Sequence, residues 1–365
     1  MKVLAVVPSK YDTSPGQRFR IEQWEPLLAE NGVEITYLPF ETDELRSVLY
    51  QSGNIAQKLK AVLASMGARR AELRAVGEFD LVYIFREAAI LGQPWFERKI
   101  ARSGVPIVFD FDDAVFVAYR SPSNGYLSYL KFPQKTAEIC GMSAHVMAGN
   151  EYLADYSRRY NENVSVIPTT IDTDKYQLTE KLAGKSPLTI GWTGSFSTVQ
   201  HLDTLREALQ ELAKTEDFVL RVIGTPVYEL DGVKVEAMQW RAESEIDDLR
   251  EVDIGIMPLP DDQWSKGKCG LKALQYMALG VPTVCSPVGV NSTIIRDREN
   301  GFLADGKDEW VAVLKRLLHD GELRWRVGNA GRVTVEQGYS ARSQAPRVYD
   351  VFQSVITKQE KSLDV

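Results

Sequence analysis

Short apolar runs alternate with segments of helical period along the whole chain, and this alternation most limits the folds open to it. The runs of the first series are residues 3–9, 34–40, 80–85, 106–112, 144–150 and 164–172, and those of the second are residues 188–195, 218–225, 233–240, 253–259, 282–287 and 301–305. Strands that alternate with helices predict parallel, doubly wound sheets. The sequence therefore predicts an α/β fold with two Rossmann-like domains, one for each series.

The boundary between the two series is a polar, turn-rich stretch at residues 179–187, which is typical of a linker. We expect the first domain over residues 1–180 and the second over residues 186–340. A C-terminal crossover helix and tail, residues 341–365, should return to the first domain. Ligands of such sheets bind at the carboxyl ends of the strands, so the cleft between the domains is the expected site.

Charge and cysteine content exclude several classes of protein. The net charge of -7 argues against a nucleic-acid-binding protein. Three widely spaced cysteines without a CxxC pair argue against a disulfide framework or a zinc site and favour a reducing cytoplasm. The apolar run at the amino terminus is too short for a signal peptide, and no run approaches the ~20 residues of a transmembrane helix. We therefore expect a cytoplasmic protein.

The segment SKGKCGLKALQYMALGVP, residues 265–282, concentrates glycine and lysine at the start of a predicted helix over residues 269–279. The first turn of a helix carries unpaired amides and a partial positive charge, which together bind phosphate. Gly270 would let an anion approach the backbone, and Lys268 would add a full charge. The alternative is a glycine kept for packing beside solvated lysines.

Small and aromatic residues follow the strands of the second domain. Glycines and hydroxyls at such ends are suited to phosphate oxygens, and an indole is suited to a nucleotide base. The candidates are Gly194, Ser195 and Trp240. Trp240 is equally well explained as a core residue.

The strand ends of the first domain carry arginines and carboxylates. Gly16 lies in the loop after the first strand and is followed by Arg18 and Arg20, which open the next helix; Arg86 follows the third strand. Either helix arginine would reach the cleft or stay on the surface, and Arg86 would face the site or form an ion pair with Glu87 or Asp110.

Three carboxylates follow the fourth strand, at Asp110, Asp112 and Asp113. Such closely spaced carboxylates repel one another unless they meet a cation, an arginine or sugar hydroxyls. We expect them to project toward the cleft; the alternative is that they only cap the following segment. The Asp-x-Asp spacing of Asp110 and Asp112 also matches a metal-binding motif.

A family resemblance rests on residues 266–304. They contain Met-Ala-x-Gly-x-Pro at residues 277–282 and Asn-Gly-Phe-Leu at residues 300–303. In this order, after "IGWTGS" and "DIGIMPL", the motifs resemble the donor-binding region of the family 4 retaining glycosyltransferases, which have the GT-B fold. The family carries two glutamates eight positions apart before this motif, whereas the chain has Gly267 and Gln275.

The resemblance implies roles for individual residues. Gln275 would bind the donor ribose as a neutral amide. Lys268, with Lys266 and Lys272 as alternatives, would replace an arginine and a lysine that the family carries early in its second domain and that this chain lacks. Asp112, with Asp110 as its rival, occupies about the place of a histidine that approaches the sugar. Gly224 and Thr225 lie where relatives have a loop beside the nucleotide. The remaining donor-binding candidates are Gly16, Arg18, Cys269, Gly270 and Leu271, and those on the acceptor side are Arg20, Arg86 and Asp113.

The implied activity is transfer of a hexose-type sugar, with retention, from a UDP- or GDP-sugar to a hydroxyl of a glycan, a lipid-linked saccharide or a small acceptor. The family implies no catalytic metal and no cofactor besides the donor. Two alternatives remain: a sugar-nucleotide epimerase or hydrolase of the same fold, and a catalytically silent sugar-nucleotide-binding partner, which the changes at Gly267 and Gln275 favour.

Residues 54–75 carry five basic residues and one acidic residue. Leu59, Val62, Leu63, Met66 and Leu73 form one apolar face at helical spacing. Such a helix predicts peripheral contact with anionic lipid at the inner face of a membrane. The alternative is a helix that packs on the sheet and exposes a solvated basic face.

Overall fold

The computed structural model describes residues 1–49, 55–118, 132–178, 186–194 and 198–363. The chain divides into two compact units: Met1–Thr169 with Gln344–Val365, and Thr170–Ser343. The division after Thr169 lies before the predicted boundary at residue 180. The C-terminal segment belongs to the first unit, as the fold prediction required. Most of the predicted linker, residues 179–185, lies outside the described residues.

The first unit contains a six-stranded parallel sheet in the order β2-β1-β3-β4-β5-β6. Its strands are β1 (Lys2–Val7), β2 (Glu34–Pro39), β3 (Leu81–Phe85), β4 (Ile107–Phe111), β5 (His145–Ala148) and β6 (Val164–Val166). Its helices are α1 (Pro15–Gln17), α2 (Gln23–Ala29), α3 (Asp43–Leu49), α4 (Ile55–Glu72), α5 (Trp95–Ala101), α6 (Lys135–Met142) and α7 (Glu151–Arg158). A π-helical turn, Arg18–Glu22, joins α1 to α2, and a short 3₁₀ turn spans Val76–Glu78.

The second unit contains another six-stranded parallel sheet, in the order β12-β11-β10-β7-β8-β9. Its strands are β7 (Leu188–Thr193), β8 (Phe218–Ile223), β9 (Lys234–Met238), β10 (Ile254–Met257), β11 (Thr283–Cys285) and β12 (Phe302–Leu303). Its helices are α8 (Val199–Leu202), α9 (Arg206–Ala213), α10 (Glu245–Arg250), α11 (Gln263–Lys266), α12 (Leu271–Ala278), α13 (Asn291–Ile294), α14 (Gly306–His319) and α15 (Gly321–Gly338). A 3₁₀ turn spans Asp203–Leu205, and α16 (Ala341–Leu363) runs from this unit into the first.

The twelve predicted strands are all present, because the sequence pattern matches the burial that a parallel sheet imposes. Every residue of β3 and β10 is buried, as expected for strands that helices cover on both faces. The core of the second unit joins α9 and α14 to the sheet through Trp192, Leu209, Val222, Ile254 and Leu314. The fold class predicted from the sequence is confirmed.

The strand orders locate the edge where a ligand site is expected in each unit. In doubly wound sheets the ligand binds beyond the carboxyl ends of the strands, where the strand order reverses. This point lies between β1 and β3 in the first unit and between β7 and β10 in the second. The loops that follow these four strands therefore hold the candidate residues. None of the described helices is long and apolar enough to cross a bilayer.

Candidate functional site

The start of α12 is set by Gly270. This residue has φ 73°, in the left-handed region that glycine adopts without strain, and a Cβ atom here would overlap the Ile294 side chain. Because Gly270 is not helical, the helix begins after it, at Leu271, rather than at the predicted Cys269. Gly270, the N-cap residue of α12, has no side chain to cap the first turn, so among the described residues no such cap competes with a ligand for the amides of that turn.

Two lysines flank this helix start, and each lies over an indole ring. The Lys268 Nζ atom is 4.8 Å from the centre of the Trp264 ring, and the Lys272 Nζ atom is 4.8 Å from the centre of the Trp192 ring. Burial, together with the positive charge of Lys268, lowers the pKa of Lys272 to about 7. The two ammonium groups are therefore close enough to repel each other.

His201, in α8, belongs to the same group of side chains. Burial and the charges of Lys272 and Lys268 lower the pKa of His201 to about 4, so its imidazole is neutral at pH 7. We call Trp192, His201, Trp264, Lys268 and Lys272 the lysine–indole cluster. Trp192 lies in β7 and His201 in the helix after it, whereas the other three residues follow β10. The cluster therefore lies where the strand order of the second sheet reverses.

The loops after β7 and β8 pack against each other through two glycines. Gly224 has φ 136°, and a Cβ atom there would overlap the Gly194 carbonyl group. The hydroxyl of Thr225 donates to the Val227 carbonyl at 3.2 Å and is buried, so it holds its own loop. Ser195, the remaining predicted phosphate contact in these loops, lies outside the described residues.

Gln275, one turn into α12, joins a buried polar network. Its Nε2 atom donates to the Tyr176 Oη atom at 3.0 Å and to the Glu245 Oε1 atom at 3.1 Å. The Trp240 Nε1 atom donates to the same Glu245 oxygen at 3.0 Å. Trp240 is half-buried, so the structure attaches its indole edge to Glu245 and leaves part of its ring accessible.

Cys269 and Leu271 flank Gly270, and neither has a charged side chain. The Cys269 thiol is buried and lies 3.8 Å from the Gly267 carbonyl oxygen, and Leu271 is half-buried. Their contribution to a ligand site would come from the backbone. The donor roles predicted for Gly194, Gly224, Thr225, Trp240, Cys269, Gly270, Leu271 and Gln275 stay predictions.

In the first unit, Gly16, Arg86 and Asp112 meet at the corresponding edge of the sheet. The Arg86 Nε and Nη2 atoms lie 2.7 and 2.6 Å from the Asp112 Oδ1 atom. A Cβ atom on Gly16 would lie 2.9 Å from the Arg86 Nη2 atom and 3.2 Å from the Asp112 Oδ2 atom. Asp113 lies farther away, with its Oδ2 atom 3.9 Å from Arg86 Nη2.

Arg86 has an unusual backbone conformation. Its φ is 59°, in the left-handed region that side chains other than glycine rarely adopt. Such a conformation costs about 1–3 kcal/mol and persists where the surroundings impose it, often at functional sites. Its amide also donates to the Asp110 carbonyl at 2.7 Å. Arg86 is thus held beside Asp112, and its predicted pairing with Glu87 or Asp110 is not the one formed.

The prediction that Asp110 and Arg20 reach a substrate is wrong. Asp110 lies one residue before the end of β4 with its side chain turned into the unit, and both side chains are fully buried. The Arg20 Nε and Nη2 atoms donate to the two Asp110 carboxylate oxygens at 2.7 and 2.5 Å, and the Tyr83 hydroxyl donates to the same carboxylate. The Arg20 Nη1 atom donates to the Ile167 carbonyl at 2.8 Å. The pair is a structural brace between the π-helical turn and the sheet.

The expectation that all three carboxylates project away from the sheet toward a cleft is therefore wrong for Asp110. Asp110 pairs with Arg20, whereas Asp112 and Asp113 face Arg86. In the part of the chain that the structure describes, no group of three His, Cys, Asp or Glu side chains is arranged to hold a metal ion. Arg18 lies 3.7 Å from Asp12 and over the Phe19 ring, where its donor role stays a prediction.

Helix α4 contains most of the basic stretch 54–75, of which residue 54 lies outside the described residues. The predicted apolar face is divided: Val62 and Leu73 are buried, whereas Leu59 and Leu63 are exposed beside Ile55. Arg69 is also buried, and its guanidinium donates to the carbonyls of Leu38 and Val7. The prediction of a single apolar face is therefore wrong. Contact of the exposed residues Ile55, Leu59 and Leu63 with anionic lipid stays a prediction.

Sequence reasoning missed Glu245, Tyr176, His201, Trp192 and Trp264. Glu245 lies in the acidic run AESEIDD, which looks solvated, and Tyr176 is distant from it along the chain. His201 gave no signal because it stands alone without a partner in sequence. The one available sign was the spacing of Lys272 and Gln275, which lie three positions apart and so share a face of a helix.

A segment of the second unit matches a known protein family. Residues 187–320 match the family model described as glycosyl transferases group 1. The chain is 25% identical to the D-inositol 3-phosphate glycosyltransferase of Stackebrandtia nassauensis over 84% of this chain and 74% of that protein. The protein of the same name from Salinispora arenicola is 42% identical over 17% of this chain and 14% of that protein.

Solved structures resemble the chain over nearly its whole length. Sucrose-phosphate synthase from Thermosynechococcus elongatus has a TM-score of 0.71 at 14% identity, covering 98% of this chain and 100% of that one. Anabaena HepE, in complex with UDP-glucose, has a TM-score of 0.66 at 13% identity, covering 97% and 100%. These likenesses show the fold. Residues 187–320 thus match the model of the glycosyl transferases group 1, and the chain has the GT-B fold of two Rossmann-like domains.

Proposed function

We propose that this chain transfers a hexose-type sugar, with retention, from a nucleoside diphosphate sugar to a hydroxyl group, and that the lysine–indole cluster binds the diphosphate. The observation that carries the proposal is the pairing of Lys268 and Lys272 at the uncapped start of α12. No carboxylate of a described residue lies within ion-pair distance of Lys272. An anion between the two ammonium groups would relieve their repulsion.

The surroundings of the two lysines favour the binding of a phosphate group. The amides of the first turn of α12 and the helix dipole attract negative charge to the same place. The rings of Trp192 and Trp264 cover one side of each ammonium group and exclude water there. Electrostatic attraction is stronger in such a partly desolvated site.

In the proposed reaction, the bond between the sugar C1 and the β-phosphate oxygen breaks, and its electron pair leaves with the nucleoside diphosphate. The acceptor oxygen forms the new bond to C1 on the same face, and its proton passes to the departing phosphate. Lys268, Lys272 and the α12 amides stabilise the charge that grows on the diphosphate. This chemistry requires no general base from the chain.

The resemblance to family 4 placed an arginine and a lysine early in the second domain, where this chain has neither. Lys272 is the candidate replacement for them. Lys272 extends from α12 to the Trp192 ring in β7 and influences His201 in α8, so it brings positive charge to that part of the unit. We propose that charge supplied from α12 compensates for the uncharged segment after β7.

The donor in this proposal is a UDP- or GDP-sugar, and the acceptor is a hydroxyl of a glycan, a lipid-linked saccharide or a small molecule. Two names guide the first trials. The curated relatives are called D-inositol 3-phosphate glycosyltransferases, and HepE was solved with UDP-glucose. UDP-glucose with inositol phosphate is therefore the first pair to test.

The experiment measures release of free nucleoside diphosphate from a panel of donors, with and without a library of acceptors, and the anomeric configuration of the product by NMR. We expect release only with an acceptor, a retained configuration and full activity in EDTA. Inversion would contradict retention. Turnover without an acceptor would show a hydrolase or epimerase, and binding without turnover a silent partner. Loss in EDTA, restored by Mn²⁺ or Mg²⁺, would contradict the metal-independent chemistry.

A further inference from the structure

Glu245 is a buried carboxylate that accepts three hydrogen bonds from three different side chains. Gln275 Nε2 and Trp240 Nε1 donate to its Oε1 atom at 3.1 and 3.0 Å, and the Tyr176 hydroxyl lies 3.2 Å from its Oε2 atom. Glu245 is only 5% exposed at the start of α10. The charge of a carboxylate at such depth is tolerated because donors surround it.

This network fixes the orientation of the Gln275 amide. A carboxylate accepts hydrogen bonds and does not donate them, so the amide nitrogen and not the oxygen must face Glu245. The second amide hydrogen goes to the Tyr176 Oη atom at 3.0 Å, and the Tyr176 hydrogen goes on to Glu245. Both amide hydrogens of Gln275 are thus used. No described residue donates to its Oε1 atom, which is the acceptor left for a ligand.

The same network explains why position 275 carries an amide. A glutamate at 275 would put a second carboxylate about 3 Å from Glu245, and two buried carboxylates at that distance cannot both stay ionised. Glu245 therefore requires a neutral donor at 275. The negative charge has not been lost from this region but lies on Glu245, one hydrogen bond away.

We propose that Glu245 is the positioning residue of the donor's ribose subsite: it turns the Gln275 carbonyl oxygen toward a ribose hydroxyl. This inference rests on the proposed function. Gln275 lies three positions after Lys272 and so on the same face of α12. A ribose is covalently next to the diphosphate, so an acceptor one turn beyond the lysine is in the right order. Glu245 also holds the Trp240 indole, whose ring would lie against the base.

The first test exchanges the two groups in the ligand-free chain. We expect Gln275→Glu to lower the Tm by roughly 4–10 °C at pH 7.5, because it adds a buried like charge. The loss should shrink at pH 5, where one carboxyl of the pair takes up a proton. The double variant Glu245→Gln with Gln275→Glu should recover the wild-type Tm. Gln210→Glu, whose amide donates to the Asp231 carbonyl at the surface, is the control for the same change of charge.

The second test compares UDP with 2′,3′-dideoxy-UDP by calorimetry, or GDP with its dideoxy analogue if the chain binds that base. We expect the wild-type chain to prefer the ribonucleotide by about tenfold, the worth of one good hydrogen bond to a ligand. Glu245→Gln should reduce the preference to below about threefold and change dideoxynucleotide binding less, because the Gln275 amide is then free to turn. The double variant should restore it.

Three results would overturn the inference. One is a ribose preference that Glu245→Gln leaves intact, and another is a double variant no better than either single variant. Each of these leaves the proposed function standing, since the wild-type chain still binds the nucleotide. A wild-type chain that binds neither nucleotide would defeat the proposed function and the ribose subsite together, whereas the Tm exchange would still report the Glu245–Gln275 pair.

Discussion

Lys272 lies with its Nζ atom 4.8 Å from the centre of the Trp192 indole ring. Such a cation–π contact is worth about 0.5–2 kcal/mol, more when water is excluded. It holds the ammonium group at a fixed place without neutralising its charge, so the charge remains available to an anion. Lys268 is held over Trp264 in the same way.

Donor binding should weaken above neutral pH. The pKa of Lys272 is lowered to about 7 in the free chain, and a bound diphosphate would raise it. Binding then takes up a proton, so the affinity for a UDP-sugar should fall by up to about tenfold per pH unit as the pH rises through 7 toward 9. Lys272→Arg keeps its charge over this range, so its affinity should stay flat. A flat wild-type profile would contradict the role of Lys272. Calorimetry at several pH values measures both.

Lys268→Ala should lower kcat by on the order of 10²-fold, comparable to the loss of one preorganised oxyanion donor. Its charge matters most when the diphosphate leaves, so donor affinity should fall less than the rate. Lys268→Arg should recover only part of the rate, because the planar fork has a different geometry. Lys266→Ala, which breaks an exposed pair with Asp261, is the matched control. Steady-state kinetics with saturating donor decide the matter, and a near-normal kcat would show that Lys268 is not part of the site.

The sheets could be predicted from the sequence because each strand carries its own signal. A run such as LVYIF at residues 81–85 is apolar wherever it lies in the sheet, and the alternation with helices then fixes the parallel class. The side-chain partners could not be predicted in this way. Asp110 and Asp112 are two positions apart in sequence, but one faces Arg20 inside the unit and the other faces Arg86 at the sheet edge.

In the donor region, too, one feature is visible in the sequence and another depends on the fold. The phosphate-binding character of residues 266–271 was visible as glycine and lysine before a helix, a local pattern. Glu245, Tyr176 and Gln275 come together only through the fold, and each alone looks like an ordinary surface or core residue. The observed brace of Arg20 and Asp110 likewise depends on a contact across ninety positions, which no local pattern reports.

Asp112→Asn should lower the rate of sugar transfer much more than it lowers donor affinity. Asp112 lies in the first unit beside Arg86, whereas the proposed diphosphate contacts lie in the second. We expect at least a tenfold loss of kcat and less than a threefold change in donor Kd, since a neutral amide forms weaker bonds to sugar hydroxyls or to Arg86. Asp43→Asn, at an exposed position of the same unit, is the control. Equal losses of rate and affinity would contradict this placement.

Breaking the buried pair of Arg20 and Asp110 should destabilise the first unit. Asp110→Asn leaves the guanidinium buried without its counter-charge, which costs about 3–5 kcal/mol. Glu138→Gln breaks the half-exposed pair with Arg98 and should cost about 0–1 kcal/mol. Denaturant unfolding of the two variants measures the difference. Similar costs for both would show that Asp110 is not the brace described here.

A structure of the chain with bound UDP or GDP would show whether the donor's phosphates lie at the start of α12. We expect phosphate oxygens within hydrogen-bond distance of the Lys268 and Lys272 Nζ atoms and of the amides at Gly270 and Leu271. We also expect the ribose to lie farther along α12, beside Gln275. Phosphates bound anywhere else on the chain, with both lysines still lying over their indole rings and touching no ligand, would contradict this expectation.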